Sequence, residues 1–459
     1  MGQRFWKVWT AATASNVGDG IVLAALPLLA ADLTREPLGV AATTIAVRLP
    51  WLLFGLFAGV IVDRTDRLRL MIGTDLGRVV AFLGIGVLIA ADQMTLSVLY
   101  LAVFCVGVLE TLFDTAAMSM TPALVEQSQL ERANARIGGA QIAANEFVGP
   151  PLGGALFAVA VAAPFGVNAL TFAMSVAVLL TVRGQYRPHR ESQSSVREDV
   201  KVGFAFLWRE PVIRAFAIGA GVINLGFTAA ASVLVLHSQD NLSLDALGFG
   251  LLLTSAAVGG LLGATLAPRS IKRLGRRPAV LASVFMMSIG VAVMGAAPNA
   301  WLAGFGFAAF GYAGEVWNVI SVTYRQSVTP DALLGRVMSG FRVVAYGAFP
   351  VGAVAGGTIA SVFTVRASFF FGAVIIAALL PYLVGVTLRH GLGRRRTIGP
   401  SRRGDQRMMQ GHGAVDACAA AAKLFRECES SIGVGGGSGR DLSIPARSCG
   451  VLEGLAAGW

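Results

Sequence analysis

Five carboxylates stand inside stretches that are otherwise apolar: Asp19, Glu110, Asp114, Glu146 and Glu315. Within a membrane helix an ionised side chain costs at least ~2.5–3.5 kcal/mol at mid-depth, and such groups face a cavity or a partner. Glu110 and Asp114 are four residues apart, which places both on one helical face, where like charges repel. A carboxyl group held there can be neutral while it faces one compartment and ionised while it faces the other. That alternation is enough to couple proton movement to the movement of a second molecule. Arg48, Arg78 and Arg342 interrupt the same stretches and are candidate buried counter-charges. Each single acid is therefore as well placed for structural pairing as for proton exchange.

Other residues add shape to this chemistry. Glu146 is followed by Gly149-Pro150-Pro151-Leu152-Gly153-Gly154. Pro150 has no N–H to give to the carbonyl of Glu146, so a helix here is bent or loosened one turn after that side chain. Gly149, Gly153 and Gly154 allow another helix to approach closely. Asn16, Gln141 and Asn145 supply neutral polar groups. Phe113 and Trp317 supply apolar lining for a cavity, with Trp51, Phe54, Met118 and Tyr346 as weaker candidates. A further motif, Gly59-x-x-x-Asp63-Arg64-x-Asp66-Arg67-Leu68-Arg69, closes the second apolar stretch. Asp63 there falls at a helix C-terminus, where the dipole disfavours an anion, so it needs a partner in Arg64, Arg67 or the amino end of a neighbouring helix. The plain alternative is a solvated ion pair that anchors topology.

The elements that must position these groups are membrane helices. Hydrophobic residues make up 55% of the chain, charged residues 14%, and mean hydropathy is +0.68, which calls for lipid as the main solvent. Twelve segments reach the ~20 apolar residues that a crossing requires. They lie near 9–31, 38–62, 70–91, 96–120, 137–160, 164–182, 212–236, 246–267, 279–297, 301–324, 336–362 and 367–388. Alternate loops hold 21 Lys and Arg against two, Arg35 and Arg366, which predicts both termini in the cytoplasm. The expected fold is an all-α polytopic membrane protein of twelve transmembrane helices in two pseudo-symmetric six-helix bundles. Its expected parts are 1–183, a polar cytoplasmic linker loop over 184–211, 212–390, and a disordered basic, glycine-rich tail over 391–459. Within that tail, Ala417–Cys428 has the composition of a short helix.

The two bundles are read from repetition. Gly59-Val60-Ile61-Val62-Asp63-Arg64 and Leu130-Glu131-Arg132 have counterparts at Gly263-Ala264-Thr265-Leu266-Ala267-Pro268 and Leu334-Gly335-Arg336, both 204 residues later. Gly149, Gly153 and Gly154 return at Gly352, Gly356 and Gly357, an offset of 203, and Asn16 has an echo in Asn224. Two embedded halves of one fold place a substrate between them.

The same residues exclude other classes. The net charge of +11 is spread over short loops and the tail, not over a phosphate-binding face, so no nucleic-acid partner is expected. Four cysteines and four histidines form no CxxC pair or metal-ligand cluster, so no metal and no cofactor is expected. No H-E-x-x-H or G-x-S-x-G motif supports a membrane enzyme on a lipid-linked substrate.

The 59–69 loop resembles the signature loop of the major facilitator superfamily, with Asp66 in place of its usual glycine. The Gly-Pro-x-x-Gly-Gly core resembles the motif of that superfamily's antiporters. Asn16-Val17-Gly18-Asp19-Gly20, Glu110-Thr111-Leu112-Phe113-Asp114, Asn168, Gln326 and Pro330-Asp331-x-x-x-Gly335-Arg336 are similar to the branch holding bacterial macrolide-efflux and enterobactin-exporter proteins. The resemblance covers nearly all of 1–388 and implies rocker-switch alternating access. It also implies a latch by Gly59, Asp63, Arg64 and Arg67 between the halves on the cytoplasmic side. Export driven by the proton gradient follows from it, whereas the substrate does not; the expected cargo is a small amphipathic molecule such as a drug, macrolide-like compound or siderophore. The expected protein is a monomer in the bacterial inner membrane whose partners are its small-molecule substrate, lipid and protons. An importer or facilitator of a small metabolite keeps the same fold, and a receptor or scaffold would fold without flux.

Overall fold

A computed structural model of the chain describes residues 1–184, Tyr186 and 196–391. The expected tail over 391–459 and its short helix lie, beyond Gly391, outside the described residues. All described elements are helices. The membrane helices are α1 Gln3–Leu33, α2 Pro37–Arg64, α3 Arg67–Ala90, α4 Leu96–Leu124, α6 Ala163–Leu180, α8 Ala246–Leu274, α9 Arg276–Ala296, α10 Ala300–Val328, α11 Asp331–Val362 and α12 Val365–His390. Between them, α5 joins Leu130–Ile142, Ala143–Val148 and Gly149–Val159, and α7 joins Pro211–Ala231 and Leu234–Asp240. Irregular backbone cannot face lipid, so these apolar runs have no alternative to the helix.

Eleven of these helices are both long and apolar enough to cross a membrane. The remaining one, α10, has the length, at 29 residues, but carries Glu315, Arg325 and several polar residues. It runs four residues past the expected segment end, and this takes Arg325 out of the predicted loop and into the helix. Likewise α7 continues to Asp240, so His237 is buried inside it, with Nε2 3.0 Å from the carbonyl oxygen of Met294.

The later part of the expected linker is a helix and not a loop. Val196–Arg209 is helical, with Leu207 fully buried and the rings of Phe204 and Trp208, an i, i+4 pair, meeting edge to face with centres 6.1 Å apart. Its Gly203 lies against the backbone of Arg336, at the start of α11. Its apolar residues are spaced to give one such face within a charged segment, a pattern that overall polarity conceals.

Helices α1–α6 and α7–α12 form two halves whose ends carry very different charge. One face of the protein holds the arginine-rich loops and the start of α1; the other holds the short turns at 34–36, 241–245 and 363–364. Contacts that join the halves gather towards this opposite face. Arg35 reaches Gln239 at 2.6 Å and Asp240 at 3.7 Å, and Ser361 donates to Glu36 at 3.2 Å. Such exposed pairs contribute ~0–1 kcal/mol each, so close helix packing must do most of the holding.

Glycines provide that packing, and the two halves use them in the same way. A Cβ on Gly149 or Gly153 would strike the backbone of α1 at Gly20 or Ile21; one on Gly352 or Gly356 would strike α7 at Leu225 or Ala229. Gly154 instead meets Ala246 on α8, across the halves, and Gly357 meets Leu38 and Ala41 on α2, also across the halves. Gly250 on α8 returns the contact to Pro150. The repeat seen in sequence is thus a repeat of contacts.

Its shift from an offset of 204 to one of 203 has a structural cause. Ala143–Val148 is a π turn, in which Gly149 donates to the carbonyl of Ala144 five residues back. Such a turn accommodates one surplus residue. From Gln141 to Gly149 is eight steps, whereas the corresponding path from Ala345 to Gly352 is seven. The loosening attributed to Pro150 therefore lies in the turn that contains Glu146, not one turn after it.

Candidate functional site

In the first half, one guanidinium lies among four carboxylates. Arg78 on α3 is fully buried, and its Nη1 donates to Ser15 Oγ on α1 at 3.1 Å and to Asp75 Oδ1 at 3.4 Å, with Asp19 Oδ2 at 3.9 Å. Its guanidinium carbon lies 5.0 Å from the ring centres of both Phe113 and Phe172, which sandwich it in cation–π geometry. Ser175 on α6 donates to Asp75 Oδ2 at 2.6 Å, so Asp75 is held from two sides. Glu110 and Asp114 on α4 lie within coulombic range of both Asp19 and Arg78.

Local sequence explains how Asp19 is aimed. Gly18 seats the side chains of Asn168 and Thr171 on α6, and Gly20 seats the π turn of α5. These two flanking contacts are about 200° apart around α1, and Asp19 projects between them towards Arg78.

Beside this cluster, a cavity of about 440 Å³ opens on the arginine-rich side, lined by α1, α4 and α5 and including Asn16, Phe113, Asp114 and Gln141. A second cavity, of about 350 Å³, is lined by α7, α9, α10 and α11 and includes Trp317. The two are counterparts by residue. Nine positions from α4 and α5 recur in α10 and α11 at a constant offset of 204, among them Phe113 with Trp317, Asp114 with Asn318, Ala117 with Ser321, Thr121 with Arg325, Gly138 with Arg342 and Gln141 with Ala345. On the innermost helices, Asn16 and Asn224 correspond at an offset of 208. Asn224 Nδ2 donates to the carbonyl of Ala345 at 2.8 Å, which ties α7 to α11 beside the second cavity.

The predicted acids thus divide. Asp19, Glu110 and Asp114 gather at Arg78. Glu146, exposed in the π turn, feels Glu315 of the other half, whose side chain packs beside Gly260 and Gly263 on α8. Asn145 lies in the same π turn and does not line either cavity. Of the three arginines expected to be buried, only Arg78 is. Arg48 and Arg342 are exposed: Arg48 faces the other half, 5.5 Å from the ring centre of Phe349 on α11, and Arg342 lines the second cavity. Two functional candidates escaped the sequence reading. Asp75 stands three residues before Arg78 in an apolar run, a spacing that pairs them on one helical face. Arg325 falls just beyond the expected segment end at 324, whereas the helix continues to Val328.

The 59–69 motif is arranged within the first half only. Asp63 and Arg64 are exposed, and Gly59 has open space where a Cβ would stand. Arg67 Nη1 donates to the carbonyl of Ser119 on α4 at 2.8 Å. Asp66, in the place of the usual glycine, caps α3 by accepting from Arg69 N at 3.0 Å and also accepts from Tyr186 N at 2.9 Å. The turn differs from the glycine form because its carboxylate ties α3 to the chain that leaves α6.

Comparison with known proteins agrees with this architecture. Residues 2–395 match the protein family described as transmembrane secretion effector. The chain is 26% identical to the enterobactin exporter EntS of Escherichia coli K12 over 337 residues, 72% of this chain and 80% of that protein. It is 26% identical to the enterobactin exporter EntS of Citrobacter koseri over 386 residues, 83% of this chain and 92% of that one. Among solved structures, a mutant of the nucleoside transporter NupG superposes with a TM-score of 0.71 at 12% identity, covering 84% of this chain and 100% of that one. A bacterial homologue of the iron transporter ferroportin in its inward-facing state gives 0.68 at 17% identity, again over 84% of this chain and 100% of that one.

Proposed function

This chain belongs to the transmembrane secretion effector family, a multi-pass transporter of the major facilitator superfamily and not an enzyme, and from that premise we propose that it exports a small amphipathic molecule in exchange for protons. The arginine-rich face is the cytoplasmic one in this reading, by the bias of basic residues. Both termini and the two cavities then face the cytoplasm, and the bacterial inner membrane is the site of action. Similarity to the enterobactin exporters favours a siderophore-like cargo over a simple metabolite.

The observation that carries the reading is a count of charge. Asp19 and Asp75 pair with Arg78, and Glu110 and Asp114 stand near enough to act on it through space, so with all four ionised this single cation faces four negative charges, three in excess, at membrane depth. A proton can supply the missing positive charge, and so can a cationic or hydrogen-bond-donating group of the cargo at Asp114. Competition between the two for one site is sufficient for exchange. Movement of one charge through the membrane is worth ~2.3 kcal/mol per 100 mV, enough to drive a cargo gradient of roughly 50-fold per proton at that potential.

Alternation follows from where the halves touch. In this conformation α5 packs on α8 and α2 on α11 at the far face, while Asp63, Arg64 and Gly59 stand free of the other half at the cytoplasmic face. Closure there brings the 59–69 loop against the second half and opens the glycine seams.

Efflux of a fluorescent amphipathic dye from energised cells tests this. Expression lowers dye accumulation, a protonophore abolishes the effect, and Asp19→Asn retains folding while export loses its dependence on pH. Accumulation that ignores the proton gradient would rule out proton exchange.

A further inference from the structure

The cavity of the second half is the counterpart of the first, but its charge is reversed. Asp114 has the neutral Asn318 at its position, while Thr121 and Gly138 are replaced by Arg325 and Arg342. Arg325 is only 3% exposed, yet its Nε and Nη1 have no hydrogen-bond partner among the described residues. Ser321, one helical turn earlier on the same face of α10 and 1% exposed, likewise has an unpartnered hydroxyl. Three buried donors without acceptors thus belong to two residues that line one cavity.

A buried donor without an acceptor is costly, and an arginine buried without an anion more so. Nothing in the fold forces this cost, since the same position in the other half is a threonine. Neither arginine forms an ion pair among the described residues. Arg325 is held from behind by Phe341, whose ring centre lies 3.5 Å from the guanidinium carbon. A planar guanidinium braced on an aromatic face presents its edge, and that edge fits the two oxygens of a carboxylate or sulfonate. Trp317 and Phe310 line the same cavity and offer apolar surface to the body of such a molecule.

We propose that this cavity is an anion subsite, in which Arg325 and Ser321 bind a carboxylate- or sulfonate-like group of an amphipathic cargo while Trp317 and Phe310 take its apolar body. Resting on the export reading above, this defines the cargo's polarity. Its anionic end faces the second half, and a donating or cationic end faces Asp114 in the first. Arg342, exposed at the mouth of the cavity, draws the anion in before Arg325 receives it.

The test compares 1-naphthoate with its neutral isostere 1-naphthamide by calorimetric titration of the purified full chain in phosphatidylcholine nanodiscs. Wild type binds naphthoate about tenfold more tightly than naphthamide, as expected for a charged hydrogen-bonded pair. Arg325→Gln abolishes that preference and leaves naphthamide binding unchanged, while Arg325→Lys retains part of it. Ser321→Ala, which hardly alters packing, weakens naphthoate several-fold and naphthamide not at all, so the outcome does not depend on Arg325→Gln folding. Equal affinities in wild type, a preference that survives Arg325→Gln, or no binding of either compound overturns the subsite. Adding phosphatidylglycerol to the discs separates a free anion from a lipid headgroup. Competition by that lipid that requires Arg325 would overturn the cargo assignment. The export reading is tested by flux, so a chain that pumps without preferring anions is distinguished from one that does not pump.

Discussion

Replacing Gly154 by alanine should shift the conformational equilibrium of this transporter without damaging either half. A Cβ there would come within 2.9 Å of the carbonyl carbon of Ala246 and 3.1 Å of the Cα of Leu247, both backbone atoms of α8. No rotamer change relieves a clash with backbone, so α5 and α8 must separate. Overpacking of this kind costs ~1–3 kcal/mol. On the alternating-access reading, the cost applies only while this seam is closed and vanishes in the state where α5 and α8 part. The better helix propensity of alanine acts equally in both states and cancels. The population of the alternative state should therefore rise ~5–150-fold. Spin labels at Arg69→Cys and Lys272→Cys, exposed positions on the arginine-rich face of opposite halves, in a background without native cysteines, would report this as growth of a short-distance population. Gly153→Ala is the control. Its Cβ meets Ile21 on α1, within the same half, so it should lower Tm with no change in the distance distribution. An unchanged distribution in Gly154→Ala, or an equal shift in Gly153→Ala, would refute the assignment of these glycines to different seams.

Two further outcomes concern the first half. Arg78→Gln leaves Asp19 and Asp75 without their shared cation and should cost ~3–5 kcal/mol, seen as a large drop in Tm or yield; adding Asp75→Asn should recover part of it, and an unperturbed Tm would show that Arg78 balances nothing. Asp66→Ala removes both the cap on α3 and the tie to Tyr186 and should cost ~0.5–2 kcal/mol in thermal unfolding, with no loss at all contradicting the observed hydrogen bonds.

Much of this arrangement is legible in the residues, because a lipid environment leaves few choices. Once apolar runs must be helices, their number, order and repetition follow, and the glycine spacing 149, 153, 154 already marks faces that touch other helices. What sequence conceals is which neighbour each face meets. Gly153 and Gly154 read alike, yet one contacts its own half and the other the opposite half. Acids in apolar runs were conspicuous, but Asp75 was hidden by the arginine three residues later, and Arg325 by an uncertain segment edge. Exposure of Arg48 and Arg342 depends on open space between helices, at the other half for Arg48 and in the second cavity for Arg342, which no local pattern encodes. The helix at Val196–Arg209 was obscured by its charge, since an amphipathic surface helix and a polar loop have similar composition.

The surplus residue in α5 has a mechanical consequence. One added residue in a regular helix would rotate everything beyond it by about 100°. Gln141 could not then face the cavity while Gly154 faced α8. By widening a single turn, the protein keeps both surfaces in register and confines the mismatch to the stretch that holds Glu146. Trimming one residue between 143 and 148 would convert that turn to ordinary winding and leave α5 matched to α11, so the excess is a detachable feature of one repeat. Whatever Glu146 contributes can therefore be separated from the framework by a deletion, an option that a point substitution does not offer.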